Sequence, residues 1–417
     1  EIMPSLVGSE MCIRDRYDIR GKVADDFPPE IVVLLGRAFG TFVKRSGGQE
    51  IALSGDIRLT TPDLIDAFRE GVLSTGTDVI NLRIIPTPVN YYSMYKLNVS
   101  GAVQITGSHN PPEFNGFKLS LHKKPVYGSQ ITSLKKIIEL GDFEYGEGTE
   151  TRYKILPDYK QMILSKINIE RTMRVVMDCA NAAAAINAPE IFRDLGVELT
   201  ELYCEPDGTF PNHHPDPTVE KNLADLITTV QSGSYDVGIA FDGDADRIGV
   251  VDETGDIIWA DQLLTLFLPE VLDPGGEIIY DVKCSQALED MIKRYGGKPV
   301  MWKTGHSLIK QRMADLGCKL GGEMSGHIFF ADEYFGYDDA IYVAARLVQL
   351  LSRSEKTLSE LKAEIPTYYS TPEMRLEAES DEEKFRIAKK AVDYCLLYTS
   401  DAADDTPCVD LGGRRII

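Results

Sequence analysis

Short apolar runs and amphipathic stretches alternate along the middle of the chain, and the same alternation comes three times. Ile51–Ser54 is apolar, Thr61–Ser74 is amphipathic at helical spacing, and Val79–Leu82 is apolar again. Arg174–Asp178, Ala188–Leu195 and Val197–Leu202 repeat the pattern, as do Ile278–Val282, Gln286–Tyr295 and Pro299–Trp302. Strand, helix and strand in succession predict parallel-rich sheets covered by helices. Starts roughly a hundred residues apart predict three similar mixed α/β domains. The Gly- and Glu-rich stretch Gly141–Thr151, the turn at Thr254–Gly255 and the region around Pro366 set the expected boundaries, giving domains at 17–152, 153–254 and 255–366. The ends, 1–16 and 395–417, carry no periodicity. Met11–Arg16 and Cys395–Asp405 resemble translated sequencing-adapter read-through, so both ends are expected to be non-native extensions.

Composition narrows the setting. A chain of 417 residues is long enough for about three cores. A net charge of −21 argues against a nucleic-acid partner, because a phosphate backbone needs a basic face. Small phosphorylated ligands remain open, since a few local cations can bind them inside an acidic protein. No run of eighteen apolar residues and no charged-then-apolar leader is present, so neither a membrane span nor export is expected. Seven cysteines without a C-x-x-C pair suit reduced thiols in a cytoplasm.

The candidate chemistry lies in loops that follow predicted strands. Thr106-Gly107-Ser108-His109-Asn110-Pro111-Pro112 follows the apolar run Ala102–Ile105 and centres a hydroxyl in a loop of turn formers, with Lys118 downstream. A serine hydroxyl is a weak nucleophile and needs a base or a metal; a turn in which Ser and Asn only bond the backbone is the bland alternative. Asp242-Gly243-Asp244-Ala245-Asp246-Arg247 follows the strand Val237–Phe241. Three carboxylates in five residues repel one another unless a hard cation neutralises them. The spacing matches part of an EF-hand, but Arg247 stands where that loop needs glycine and the flanks are strand-like, so an EF-hand is rejected. Gly321-Gly322-Glu323-Met324-Ser325-Gly326-His327 puts Glu323 and Ser325 two apart on an expected extended loop, pointing the same way toward sugar hydroxyls. Asp281-Val282-Lys283-Cys284, Lys303-Thr304-Gly305-His306 and Tyr17-Asp18-Ile19-Arg20-Gly21 add basic groups, the first two just past predicted strands, where ligands of open α/β sheets bind. His213-His214 lies between prolines and reads as structural.

Taken together these loops resemble the α-D-phosphohexomutase superfamily and, within it, the bacterial phosphomannomutase/phosphoglucomutase group, over Tyr17 to Tyr394 and in the family order. The resemblance implies four domains around one cleft, three alike and a different α+β fourth beginning at 367–394. It implies a phosphorylated Ser108, Mg²⁺ held by Asp242, Asp244, Asp246 and the Ser108 group, and Tyr17, Arg20, Lys118, Arg247 and His327 around the reacting phosphoryl group. Lys118 and His327 become acid/base candidates, and His109 lies beside the substrate. Glu323 and Ser325 would hold sugar hydroxyls, with Lys283 and His306 supporting sugar and phosphate. The implied reaction interconverts hexose 1-phosphate and hexose 6-phosphate, of mannose, glucose or both, through a hexose 1,6-bisphosphate that also serves as activator. The partners are then small-molecule hexose phosphates, and a monomer is expected. Two departures stand out. Ala182–Ala185 occupies a loop that contains glycine in the family, and no Arg-x-Ser-x-Thr-x-Pro loop of the fourth-domain phosphate clamp is present, so that domain reads as truncated. The competing readings are a phosphoglucosamine mutase and a weakly active sugar-phosphate binding protein.

Overall fold

The structure, a computed structural model, describes residues 18–369 and single helical positions between 383 and 390. Tyr17, the two expected extensions and most of 367–394 lie outside the described residues. Three mixed α/β sheets follow one another along the chain.

The first contains β1 (Ile19–Lys22), β2 (Glu50–Gly55), β3 (Asp78–Ile84), β4 (Gly101–Ile105), β5 (Phe114–Leu121), β6 (Lys124–Pro125) and β7 (Glu150–Arg152). Its order is β1-β5-β4-β2-β3-β7, with β6 beside β5. The second contains β8 (Arg174–Asp178), β9 (Glu198–Leu202), β10 (Val237–Phe241), β11 (Ile248–Asp252) and β12 (Ile257–Ile258), in the order β12-β11-β10-β8-β9. The third contains β13 (Glu277–Asp281), β14 (Lys298–Trp302), β15 (Leu320–Gly322) and β16 (Ile328–Phe330), in the order β14-β13-β15-β16. Each unit predicted from periodicity is present, with bounds within one or two residues of those read from the sequence.

The three sheets share one inner topology. β2, β3 and β4 are parallel and β5 runs antiparallel beside β4. β8, β9 and β10 with antiparallel β11, and β13, β14 and β15 with antiparallel β16, repeat it. Helices join the parallel strands: α1 (Thr61–Leu73) and α2 (Thr87–Lys96), α3 (Ala188–Asp194) and α4 (Ala224–Ser232), α5 (Gln286–Arg294) and α6 (His306–Leu316). Prolines at the first turns of α1, α2 and α3 start these helices where a backbone N–H is not needed.

The consequence for function is positional. In each domain the third parallel strand turns back into the antiparallel one through a single loop, 106–113, 242–247 or 323–327. These are the serine, aspartate and sugar loops, all at the carboxyl ends of parallel strands. The first domain has its own apolar core, built on Phe39, Phe68 and Phe117. A second core runs continuously through the other two domains and takes in Val89, Tyr91, Tyr92 and Met94 of α2. That shared core fixes the domains against one another, so the loops face one another. Α long helix, Ala340–Arg353, is buried along most of its length and packs against β10, β11 and β16. Among the described residues no helix is long and apolar enough to cross a membrane.

Candidate active site

Ser108 is fully buried and has φ 49°, a left-handed conformation that costs a non-glycine residue free energy. Its hydroxyl lies 3.1 Å from Asp242 Oδ2 and 3.1 Å from His109 Nδ1. The strain is held by a buried arginine that the sequence reading did not single out. The Arg58 guanidinium donates to the carbonyls of Ser108 (2.8 Å), Asn110 (2.6 Å), Pro111 (2.6 Å) and Phe114 (3.0 Å). Asp56 lies 3.3 Å from the Arg58 Nε and accepts from the Thr106 hydroxyl and the Gly107 amide. A Cβ on Gly107 would come within 2.4 Å of the guanidinium, so only glycine lets the loop close over Arg58. Gly243 plays the same part across the domain boundary, since a Cβ there would sit 2.2 Å from the Ser108 carbonyl.

Lys118 extends from β5 into the aspartate loop. Its ammonium is 2.8 Å from Asp244 Oδ2 and also bonds Asp246. Burial disfavours the charge on Lys118, but Asp244 and Asp246 override it and hold the ammonium above its ordinary range. Burial, with Asp244 and Asp246 close by, pushes the Asp242 carboxyl well up. For Asp244, burial acts upward, but Lys118, Thr87 and Arg20 outweigh it and hold the carboxyl low. The Thr87 hydroxyl, at the start of α2, donates to Asp244 at 2.6 Å.

Oxygens of Asp242, Asp244 and Asp246 lie within 4.8 Å of one another. Asp244 Oδ1 and Asp246 Oδ1 are buried without a hydrogen-bond partner. Hard oxygen donors with unfilled lone pairs fit a divalent cation such as those oxygen-rich sites hold. Ala245 in the same loop also has positive φ, 64°.

The third domain brings His327 to the same place. Arg247 Nε donates to His327 Nε2 at 2.9 Å, and His327 Nδ1 lies 3.0 Å from Asp338 Oδ2. His306 stacks on His327 at 5.4 Å and reaches Asp18 at 3.3 Å, while Asp18 pairs with Arg20 at 3.0 Å. Burial, then Lys310, holds His306 below its ordinary value; burial, then Arg247 and Arg20, does the same more strongly for His109. Lys310 anchors Asp338 at 2.7 Å.

The sugar loop differs from its expected form. Residues 323–327 make a tight turn, with the Gly326 amide donating to the Glu323 carbonyl at 3.0 Å, rather than extended chain. Glu323 is buried and accepts from the Gly305 amide, whereas Ser325 is half-buried. Burial and the nearby Asp281 push Glu323 up to about 7. Lys283 lies 3.8 Å from Asp281. His213 pairs with Asp178 at 2.9 Å within the second domain, and His214 bridges to the first by contacting the His109 carbonyl.

Arg58, Asp56, Thr87, Asp338 and Lys310 were absent from the sequence reading, and Asp18 stood there only inside the Tyr17–Gly21 motif with no role of its own. Only Asp56-Ile57-Arg58 left a signal, an acid and a base immediately after the first predicted strand.

A strained serine against three buried carboxylates, flanked by lysine and arginines, is the equipment of a phosphoryl-transfer enzyme. The chain matches the models for phosphoglucomutase/phosphomannomutase alpha/beta/alpha domains I, II and III at residues 13–144, 157–255 and 259–369. It is 44% identical over 373 residues to a phosphomannomutase/phosphoglucomutase of Pseudomonas aeruginosa, covering 89% of this chain and 80% of that protein. A Neisseria meningitidis phosphoglucomutase is 42% identical over 364 residues, covering 86% and 79%. A crystal structure of a phosphoglucomutase/phosphomannomutase family protein from Burkholderia thailandensis superposes with a TM-score of 0.87 at 39% identity, over 95% of this chain and 86% of that one. The chain belongs to the phosphoglucomutase/phosphomannomutase family and is a phosphohexomutase, an isomerase that moves a phosphoryl group on a hexose.

Proposed function

We propose that this phosphohexomutase interconverts the 1- and 6-phosphates of mannose, glucose or both through phosphorylated Ser108 and a hexose 1,6-bisphosphate. The carrying observation is the Ser108 hydroxyl 3.1 Å from Asp242 inside a cluster that also holds Lys118. Phosphorylated Ser108 gives its phosphoryl group to the free O1 or O6 of the bound sugar phosphate. The bisphosphate then turns over and returns its other phosphoryl group to Ser108.

Mg²⁺ bound by Asp242, Asp244, Asp246 and the phosphoserine would supply positive charge to the transferred group. Lys118, kept cationic by its two aspartates, adds positive charge beside the transferred group. His327 carries its Nε2 toward Arg247 and is braced by Asp338, which suits it to exchange a proton with the sugar oxygen. Arg20 and Arg247 steer the phosphoryl oxygens. Glu323 and Ser325 grip sugar hydroxyls, and Lys283 and His306 support the sugar phosphate from the third domain.

The test incubates the chain with glucose 1,6-bisphosphate and maps phosphate by peptide mass spectrometry, alongside coupled assays on mannose 1-phosphate, glucose 1-phosphate and glucosamine 1-phosphate. Phosphate on Ser108 with turnover of mannose or glucose 1-phosphate is expected. Phosphate elsewhere, or turnover confined to glucosamine 1-phosphate, overturns the reading.

A further inference from the structure

Two thiols at the ends of β8 and β9 take no part in the mutase chemistry. Cys179 is buried, Cys204 is half-buried, and their sulfurs are 3.2 Å apart. Strand register brings them together. β8 and β9 are parallel with Asp178 opposite Leu202, the Cys179 amide donates to the Leu202 carbonyl at 3.1 Å, and the Asn181 amide to the Tyr203 carbonyl at 2.7 Å. The two chains therefore leave the sheet side by side.

We propose that Cys179 and Cys204 form a reversible disulfide, making this pair a redox modification site beside the reaction centre. A disulfide holds its sulfurs at about 2.05 Å, so closure asks for a movement of roughly 1 Å. Cys204 is the sulfur an oxidant reaches first. Cys179 is the resolving partner, since burial and its bond with Cys204 keep its thiol protonated well above the ordinary range.

With a hydroperoxide as oxidant the steps balance. The Cys204 sulfur attacks a peroxide oxygen, the O–O bond breaks, and the departing oxygen takes up the thiol proton, leaving a sulfenic acid. The Cys179 sulfur then attacks the Cys204 sulfur. The S–S bond forms, the S–O bond breaks, and the hydroxyl leaves with the Cys179 proton as water. Two electrons pass from the thiols to the peroxide, and a dithiol reductant returns them.

Both chains that carry the thiols touch the catalytic loops. Beyond Cys179, the Ala183 amide donates to the Gly243 carbonyl at 3.3 Å. Beyond Cys204, His214 contacts the carbonyl of His109, next to Ser108. Asp178 and His213 tie the two chains together at 2.9 Å. Closure of the disulfide therefore shifts the supports of the serine and aspartate loops; this coupling rests on the reading of those loops given above.

The test uses the full chain. It is treated with hydrogen peroxide, its remaining thiols are capped with N-ethylmaleimide, and its peptides are mapped without reductant. The expected result is a Cys179–Cys204 link, two fewer capped thiols of the seven, and full reversal by dithiothreitol. Cys204→Ser and Cys179→Ala should each abolish the link, and the wild-type map decides the matter even if one variant fails to fold. Cys204 oxidised to a sulfinic acid without a link, or linked to another cysteine, overturns the proposal. Hydrogen exchange of the oxidised chain should change across 105–114 and 242–247. Changes confined to 177–205 overturn the coupling. The thiol map does not depend on Ser108, so failure of the phosphoserine reading leaves it standing and the two failures are told apart.

Discussion

Asp339 and the aspartate loop are both buried anionic sites, and they meet the cost of burial in opposite ways. Asp339 accepts from the Tyr159 hydroxyl at 2.8 and 2.9 Å, from the Tyr334 hydroxyl at 2.5 Å and from the Tyr342 amide at 2.9 Å. Tyr159 belongs to the second domain and Tyr334 to the third, so neutral donors from two domains fill this carboxylate. Burial still pushes it up to about 6. Asp244 and Asp246 instead each leave one oxygen without a hydrogen-bond partner, and their charge is met by Lys118 from another domain. A carboxylate whose lone pairs are filled fixes a geometry, whereas one with open lone pairs is ready for a ligand.

The largest effect that bears on this contrast is expected from Ser108→Ala. It should lower kcat by several powers of ten, the loss of a covalent step, with an unchanged denaturation midpoint. Near-normal turnover of that variant would sink the phosphoserine mechanism. Chelation comes next: excess EDTA should stop turnover, and added Mg²⁺ should restore it, with the fold retained by circular dichroism. Unfolding on chelation would make the aspartate loop a structural site like Asp339.

Asp339→Ala should do the reverse. It strands the Tyr159 hydroxyl and the Tyr342 amide and leaves the Tyr334 hydroxyl only Tyr337, so urea denaturation should show a loss of roughly 3 kcal/mol or more, with kcat of the folded fraction little changed. A stability equal to wild type would show that the tyrosines find other partners. Arg58→Lys should separate positioning from charge. Lysine cannot donate to four carbonyls at once, so kcat should fall about ten-fold or more while KM stays nearly constant. Equal loss in both would place Arg58 in binding instead.

The smallest effect concerns Glu323, whose folded value near 7 stands above its ordinary 4.5. The folded state binds that proton more tightly than the unfolded chain does. Its stabilising contribution is therefore complete below 4.5 and lost as pH rises through about 7. Glu323→Gln should flatten the melting midpoint over that window. Identical slopes in the two proteins would show that Glu323 titrates normally.

The sequence by itself determined the repeated strands and helices, because periodicity and turn chemistry act over a few residues. It also placed Ser108, Asp242, Asp244, Asp246 and Glu323 in loops after strands, since each stands among glycines and prolines that interrupt the pattern. Tertiary structure alone decided the rest. Arg58 is only 1% exposed, although an arginine is ordinarily read as surface, and its four carbonyl partners lie some fifty residues further on. Asp338 acquires meaning only when His327, His306 and Lys310 converge on it. The sugar loop was read as extended but turns back on itself through its own backbone bond. Cys179 and Cys204 are twenty-five positions apart, and no local pattern links them; parallel register sets their sulfurs side by side. For Arg58 and Asp338 the deciding free energy is the burial of a charged group. That burial is tolerable only once partners from distant parts of the chain have arrived.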